Sequence, residues 1–221
     1  MQATKTIPIV IADSPDPVAF GLVASLARPG GNITGSTSFQ TEIHAKRLEL
    51  LKEAVPRITR VAFLCNPSGP SFVSVLKSLE AAAKTLNVEL HQFPVNESAD
   101  FPGAFTAMVK AKVEAAVLYE DPLLNANAGV IAGLAAIQRL PAVGITNFAA
   151  DGGLLGYGAN RPVVYGRAAY FVDRILKGAK PGDLPIERTT KFEFIVNMKT
   201  AKALGIKIPN SILVRATKVI E

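Results

Sequence analysis

Four polar segments, each placed directly after an apolar and β-rich run, carry the residues whose types could bind a small molecule. They are Asp13-Ser14-Pro15-Asp16, Asn66-Pro67-Ser68-Gly69-Pro70-Ser71, Glu120-Asp121-Pro122 and Thr146-Asn147-Phe148. Ser68 and Ser71 precede a long helical pattern, whose first N–H groups and positive dipole end suit a carboxylate or another anion. Asp121 offers a fixed negative charge to a ligand ammonium, while Tyr119 and Phe148 could flank an apolar or aromatic ligand body. Together these groups describe an amino-acid-like ligand. Serine, asparagine and aspartate at such points also serve as helix caps and turn residues, so it is the set of four, with Asp16, Asn66, Ser68, Ser71, Asp121 and Asn147 as its members, that favours a ligand.

Catalytic arrangements are hard to find in the same sequence. The first β-rich run ends in Asp-Ser-Pro-Asp-Pro, and Gly156-Tyr157-Gly158-Ala159-Asn160-Arg161 lacks the third glycine of a dinucleotide loop. There is no Walker A lysine motif and no G-x-S-x-G elbow. His44 falls in a long amphipathic helix and His91 in an alternating strand, without a second His or Cys at ligand spacing, so both are expected at the surface or half-buried. Glu120 and Asp121 are adjacent and point in different directions from a strand end, which is not the facing pair of a glycosidase. No catalytic residue, metal or cofactor is expected.

The elements that must position the four segments alternate strand and helix. Pro8–Ala12 reads as a strand, with Asp16-Pro17 as N-cap and first helical position of a helix over Val18–Ala27. A long amphipathic helix covers Glu42–Val55. From there the pattern is regular: strands at Val61–Cys65, Glu89–Val95, Ala115–Tyr119 and Ala142–Ile145, with helices at Phe72–Leu86, Phe101–Lys112 and Asn125–Arg139. Strands separated by helices of this length pair in parallel through right-handed crossovers, giving a doubly wound α/β sheet. Leu154–Gly158, a helix at Val163–Lys177, a strand around Phe192–Val196 and a short helical region complete the chain. Ligands of open parallel sheets bind beyond the carboxyl ends of the strands, where these polar segments lie.

Composition narrows the class. The 221 residues can bury a sizeable core without a staple, and 49% hydrophobic with 19% charged residues is ordinary for a globular chain. The net charge of +6 is scattered along helical faces with no run of four basic residues, so a nucleic-acid partner is not expected. The one cysteine, Cys65, lies inside an apolar run and reads as a small buried hydrophobe. Met1–Ile7 has none of the features of a signal peptide, and no apolar run is long enough for a membrane helix.

Several passages carry a family resemblance: Asp16-Pro17-Val18 with Gly21–Asn32, Lys46–Pro56, Asn66-Pro67, Asp151–Leu154, Tyr157-Gly158, Val172–Pro181 and Asn197–Gly205. They resemble the ABC transporter substrate-binding family that includes tryptophan and other aromatic amino acid binders, which has the type I periplasmic-binding-protein fold. The resemblance implies two α/β lobes joined by crossing strands, with the ligand trapped when the lobes close. It divides the chain into a first lobe of 1–35 plus 159–180 and a second of 36–158 plus 181–221. The first lobe is then incomplete at its N-terminal side, and its unpaired edge offers a place for a dimer through that lobe. By position, the resemblance points to Asp16, Asn66, Ser68, Ser71 and Asp121, with Tyr157 and Asn160 near a crossing strand. It further implies an importer permease as partner and a place outside the cytoplasmic membrane. A ligand-sensing regulatory module and a small-molecule enzyme of similar sheet architecture remain as alternatives.

Overall fold

The computed structural model describes residues 4–221. The chain forms two compact units, 1–40 with 159–192 and 41–158 with 193–221. In the first, β1 (Ile9–Ser14), β2 (Ile33–Thr37) and β8 (Glu187–Arg188) form a parallel sheet in the order β1-β2-β8. Helix α7 (Arg161–Leu176) packs on β1 and β2 through the buried Val164 and Phe171. The unit boundaries differ from the sequence expectation at 36–40 and 181–192. The reason is β8: Ser36 pairs with Glu187, Thr37 with Arg188, and the Thr189 N–H donates to the Thr37 carbonyl at 2.9 Å.

The helix expected over Val18–Ala27 does not form. The carboxylate of Asp16 accepts the Ala19 N–H at 2.9 Å and a single turn follows. It is then closed by the Leu22 N–H on the Pro17 carbonyl and by Gly21 at φ +66°, the left-handed conformation in which chains leave helices.

The second unit holds a seven-stranded sheet in the order β10-β9-β7-β6-β5-β3-β4. Its strands are β3 (Arg60–Cys65), β4 (Glu89–Pro94), β5 (Ala115–Leu118), β6 (Ala142–Gly144), β7 (Leu155–Ala159), β9 (Phe192–Asn197) and β10 (Lys218–Ile220). The pairs β4–β3, β3–β5, β5–β6, β6–β7 and β9–β10 are parallel. The central strands are apolar throughout, as a sheet covered on both faces requires: all four residues of β5 and five of six in β3 are buried. On one face α3 (Phe101–Lys110) meets α5 (Ala128–Ile137). On the other, the Ser78 hydroxyl of α2 (Phe72–Thr85) donates to the Thr41 carbonyl of α1 (Gln40–Ala54) at 3.0 Å. The helix expected over Asn125–Arg139 is two helices, α4 (Pro122–Ala126) and α5, parted at Asn127. The segment Thr146–Phe148, expected as a loop, begins α6 (Thr146–Ala150). Two short helices, α8 (Met198–Leu204) and α9 (Asn210–Leu213), lie between β9 and β10.

Two measurements probe this packing. Gly35 sits in β2 at φ +137°, and a Cβ there would overlap the Ile11 carbonyl of β1. Gly35→Ala is expected to destabilise the first unit by more than about 2 kcal/mol in chemical denaturation. Burial in β3 pushes the Cys65 thiol from 9.0 up to about 12. The unfolded chain therefore loses this proton first, and stability contributed by the thiol form is present below pH 9.0 and lost as pH rises toward 12. The slope is about 1.4 kcal/mol per pH unit. Cys65→Val should flatten the fall between pH 9 and 10, before Tyr119 and Tyr157, whose values are also raised from 10.0, begin to add to it.

Candidate ligand-binding site

Chain order places β4 on one side of β3 and β5, β6 and β7 on the other, so the winding reverses between β3 and β5. At such a switch point the loops leaving neighbouring strands diverge, and the carboxyl edge opens into a crevice. The loops there are 66–71 and 119–121, and the structure ties one to the other. The Asn66 amide donates to Asp121 Oδ2 at 2.9 Å and its oxygen accepts the Ser68 N–H at 3.0 Å. The Ser71 and Tyr119 hydroxyls lie 2.7 Å apart. Gly69 rests on the Tyr119 ring, where a Cβ would come within 2.6 Å of Cε1.

Of the sequence-selected residues, Asn66, Ser68, Ser71 and Asp121 thus share this edge. Ser68 is exposed, whereas Ser71 is buried against Tyr119 and Asp121 is 7% exposed. Asp121 caps α4, with Oδ1 accepting the Leu124 N–H at 3.0 Å. Asn147 is exposed on α6, beyond the end of β6. Tyr157 lies half-buried on β7 with its ring edge-on to Phe194, centroids 6.3 Å apart, and burial raises its phenol above the ordinary value. Asp16 and Asn160 belong to the first unit, where Asn160 caps α7 by accepting the Val163 N–H at 3.0 Å. Two aromatic residues expected against the ligand are instead core. Tyr119 is buried, and Phe148 is enclosed by Gly144, whose Cβ would stand 2.8 Å from its ring, and by Gly153.

Sequence reasoning passed over the cluster behind this edge. His44 and Arg47, one turn apart on α1, are both buried, against the expectation of a surface or half-buried histidine. Arg47 donates through Nε to the Tyr157 carbonyl at 2.8 Å and through Nη2 to Glu120 Oε2 at 2.6 Å. The Glu120 N–H donates to His44 Nε2 at 2.9 Å. The available signal was the pair of polar residues on the inward, leucine-rich face of an amphipathic helix. Among the described residues no three His, Cys, Asp or Glu are placed to hold a metal ion, and no helix is long and apolar enough to cross a membrane.

The family described as ABC transporter substrate binding protein matches residues 1–220. The chain belongs to this family. A tyrosine-binding protein of Clostridioides difficile is 28% identical over 207 residues, which is 93% of this chain. The chain spans 59% of that relative's length. The ABC domain from Streptococcus pneumonia, solved in complex with L-Trp, is 27% identical with a TM-score of 0.87 over 99% of this chain and 75% of its own. A conserved domain protein of Vibrio cholerae is 29% identical with a TM-score of 0.90 over 98% of this chain and 73% of its own. The family member described here accordingly has the α/β, type I periplasmic-binding-protein fold with parallel sheets.

The buried pair makes a stability prediction. With Arg47 at 0% and the Glu120 side chain at 15% exposure, removing one partner leaves a poorly solvated charge. Arg47→Met alone should cost roughly 3–5 kcal/mol, and the double change Arg47→Met with Glu120→Leu should recover most of that loss. Urea denaturation of the two variants checks both halves.

Proposed function

We propose that the chain is the solute-binding part of an ABC importer and that its ligand is an amino acid, with an aromatic one foremost. The observation that carries the amino-acid reading is the state of Asp121. It is 7% exposed, and its oxygens accept from Asn66 Nδ2 and the Leu124 N–H, both neutral donors. Each oxygen accepts one hydrogen bond and retains a further lone-pair site, and neither partner is a cation. Asp121 also stands at the switch point of the sheet, where a ligand ammonium would arrive. Ser68 and the start of the 14-residue helix α2 suit the ligand carboxylate. Asn147 on α6 and Tyr157 on β7 are the further contacts assigned. The reading is supported by the printed ligands of two relatives, L-Trp and tyrosine.

In this reading the protein is a non-catalytic carrier that works outside the cytoplasmic membrane and hands its ligand to a membrane permease; its membership of the ABC transporter substrate binding family supports that reading. A thermal-shift panel of L-tryptophan, L-tyrosine, L-phenylalanine, L-leucine, short peptides, nucleosides and sugars tests it. A ligand at about 100 times its dissociation constant adds about 2.7 kcal/mol, which should raise the melting temperature by roughly 5 to 10 °C. The expected response is confined to amino acids and is lost in Asp121→Asn, which retains a capping side chain but no charge. A shift produced by sugars or nucleosides alone, or by nothing, would overturn the reading.

A further inference from the structure

The loop that leaves β5 at the switch point is three residues long, and its outer two residues are held by the 66–71 loop while the middle one is held by α1. Tyr119 is held by Ser71 and lies beneath Gly69. Asp121 is held by Asn66 and the Leu124 N–H. Glu120, between them, is gripped twice from α1: its backbone N–H by His44 and its carboxylate by Arg47. We propose that His44 and Arg47 are positioning residues for the ammonium subsite at Asp121, setting affinity for ligands that carry an α-ammonium without touching them. The proposal rests on the amino-acid reading above and deepens it.

Geometry and cost both point this way. Arg47 Nη1 lies 3.4 Å from His44 Nε2, and a guanidinium only donates. With the Glu120 N–H also directed at it, Nε2 is the unprotonated nitrogen, and its one lone pair, aimed at the Glu120 N–H, fixes the ring's orientation. Arg47 is in turn fixed by the Tyr157 carbonyl of β7. Anchoring both the amide and the carboxylate of Glu120 leaves its dihedral angles little freedom, and these angles aim the next residue, Asp121. A helix needing only stability would meet the core with apolar residues of similar volume, since a buried ion pair is seldom the more stable choice. The other inward residues of α1 are of that kind: Ile43, Leu48, Leu50, Leu51 and Ala54. Two polar residues among them serve the loop they hold. A preorganised loop spares the ligand the entropy of ordering it, so the effect belongs in the dissociation constant.

Calorimetric titration separates positioning from general support. The probes are L-tryptophan with indole-3-propionate and L-tyrosine with 3-(4-hydroxyphenyl)propionate, pairs that differ in the α-ammonium. Four proteins are compared: wild type, His44→Leu, His44→Gln, whose amide oxygen can replace Nε2, and Arg47→Lys, which cannot reach both Tyr157 and Glu120. Expected are at least about tenfold weaker binding of the amino acids by His44→Leu and Arg47→Lys, a change below about threefold for the des-amino acids, and near wild-type affinities for His44→Gln. Should His44→Leu fail to fold, Arg47→Lys carries the same comparison. Equal losses for both members of a pair, or no loss in any variant, would overturn the inference while leaving the function standing. A wild-type protein that binds none of the four probes would overturn the reading of the function and this inference with it.

Discussion

Burying a guanidinium obliges a protein to surround it with acceptors, and Arg47 receives its acceptors from two strands to which it does not belong. Its Nε takes the Tyr157 carbonyl of β7, and its Nη2 takes the carboxylate of Glu120 just beyond β5. Between those strands lies β6, so one side chain spans the carboxyl edge across three strands. Gly158 on β7 borders the guanidinium, and a Cβ there would stand in ordinary contact with Nη2 at 3.5 Å. Helix α1 must lie close enough for His44, a turn earlier, to reach the Glu120 amide. The edge is therefore tied from behind by α1 and from the side by the 66–71 loop.

The parallel sheet explains why such ties fall at this edge. In a doubly wound sheet every strand delivers its next residues to the same side, so loops far apart in sequence arrive as neighbours. Asn66 and Asp121 are separated by 55 positions and Arg47 and Glu120 by 73, yet each pair is in direct contact. Polar residues that end an apolar strand must find partners if the loop is to be ordered. At the switch point those partners come from the loop of the adjacent strand.

Much of this was legible in the sequence. The runs Val61–Cys65 and Ala115–Leu118 show strands because a strand covered on both faces has no polar residue to spare. The loops after them show the candidate edge because their polarity breaks so sharply. Local signals failed where a single backbone conformation overrode them, as when Gly21 closed the turn that Asp16 and Pro17 had begun. They failed too where the outcome depended on strand order. Whether Ser71 faces solvent or Tyr119, and whether His44 is exposed or enclosed, is settled by which strand lies beside β3. No count of residues along one helix contains that information. Phe148 was misplaced for a similar reason: the space it fills is created by Gly144 and Gly153, and glycine in a sequence does not announce which ring it admits.

The treatment of the two adjacent carboxylates is the most informative contrast in the molecule. Glu120 turns toward α1 and Asp121 toward the loop before α2. One meets a cation, Arg47, at 2.6 Å, and the other meets the neutral Asn66 amide and a backbone N–H. Had stability alone governed the edge, the charge of Asp121 would be the one to discard, because a neutral asparagine caps a helix as well and is cheaper to bury. Its retention leaves Asp121 with two neutral partners beside a Glu120 that Arg47 neutralises. In the function proposed above, the ammonium of the ligand completes it.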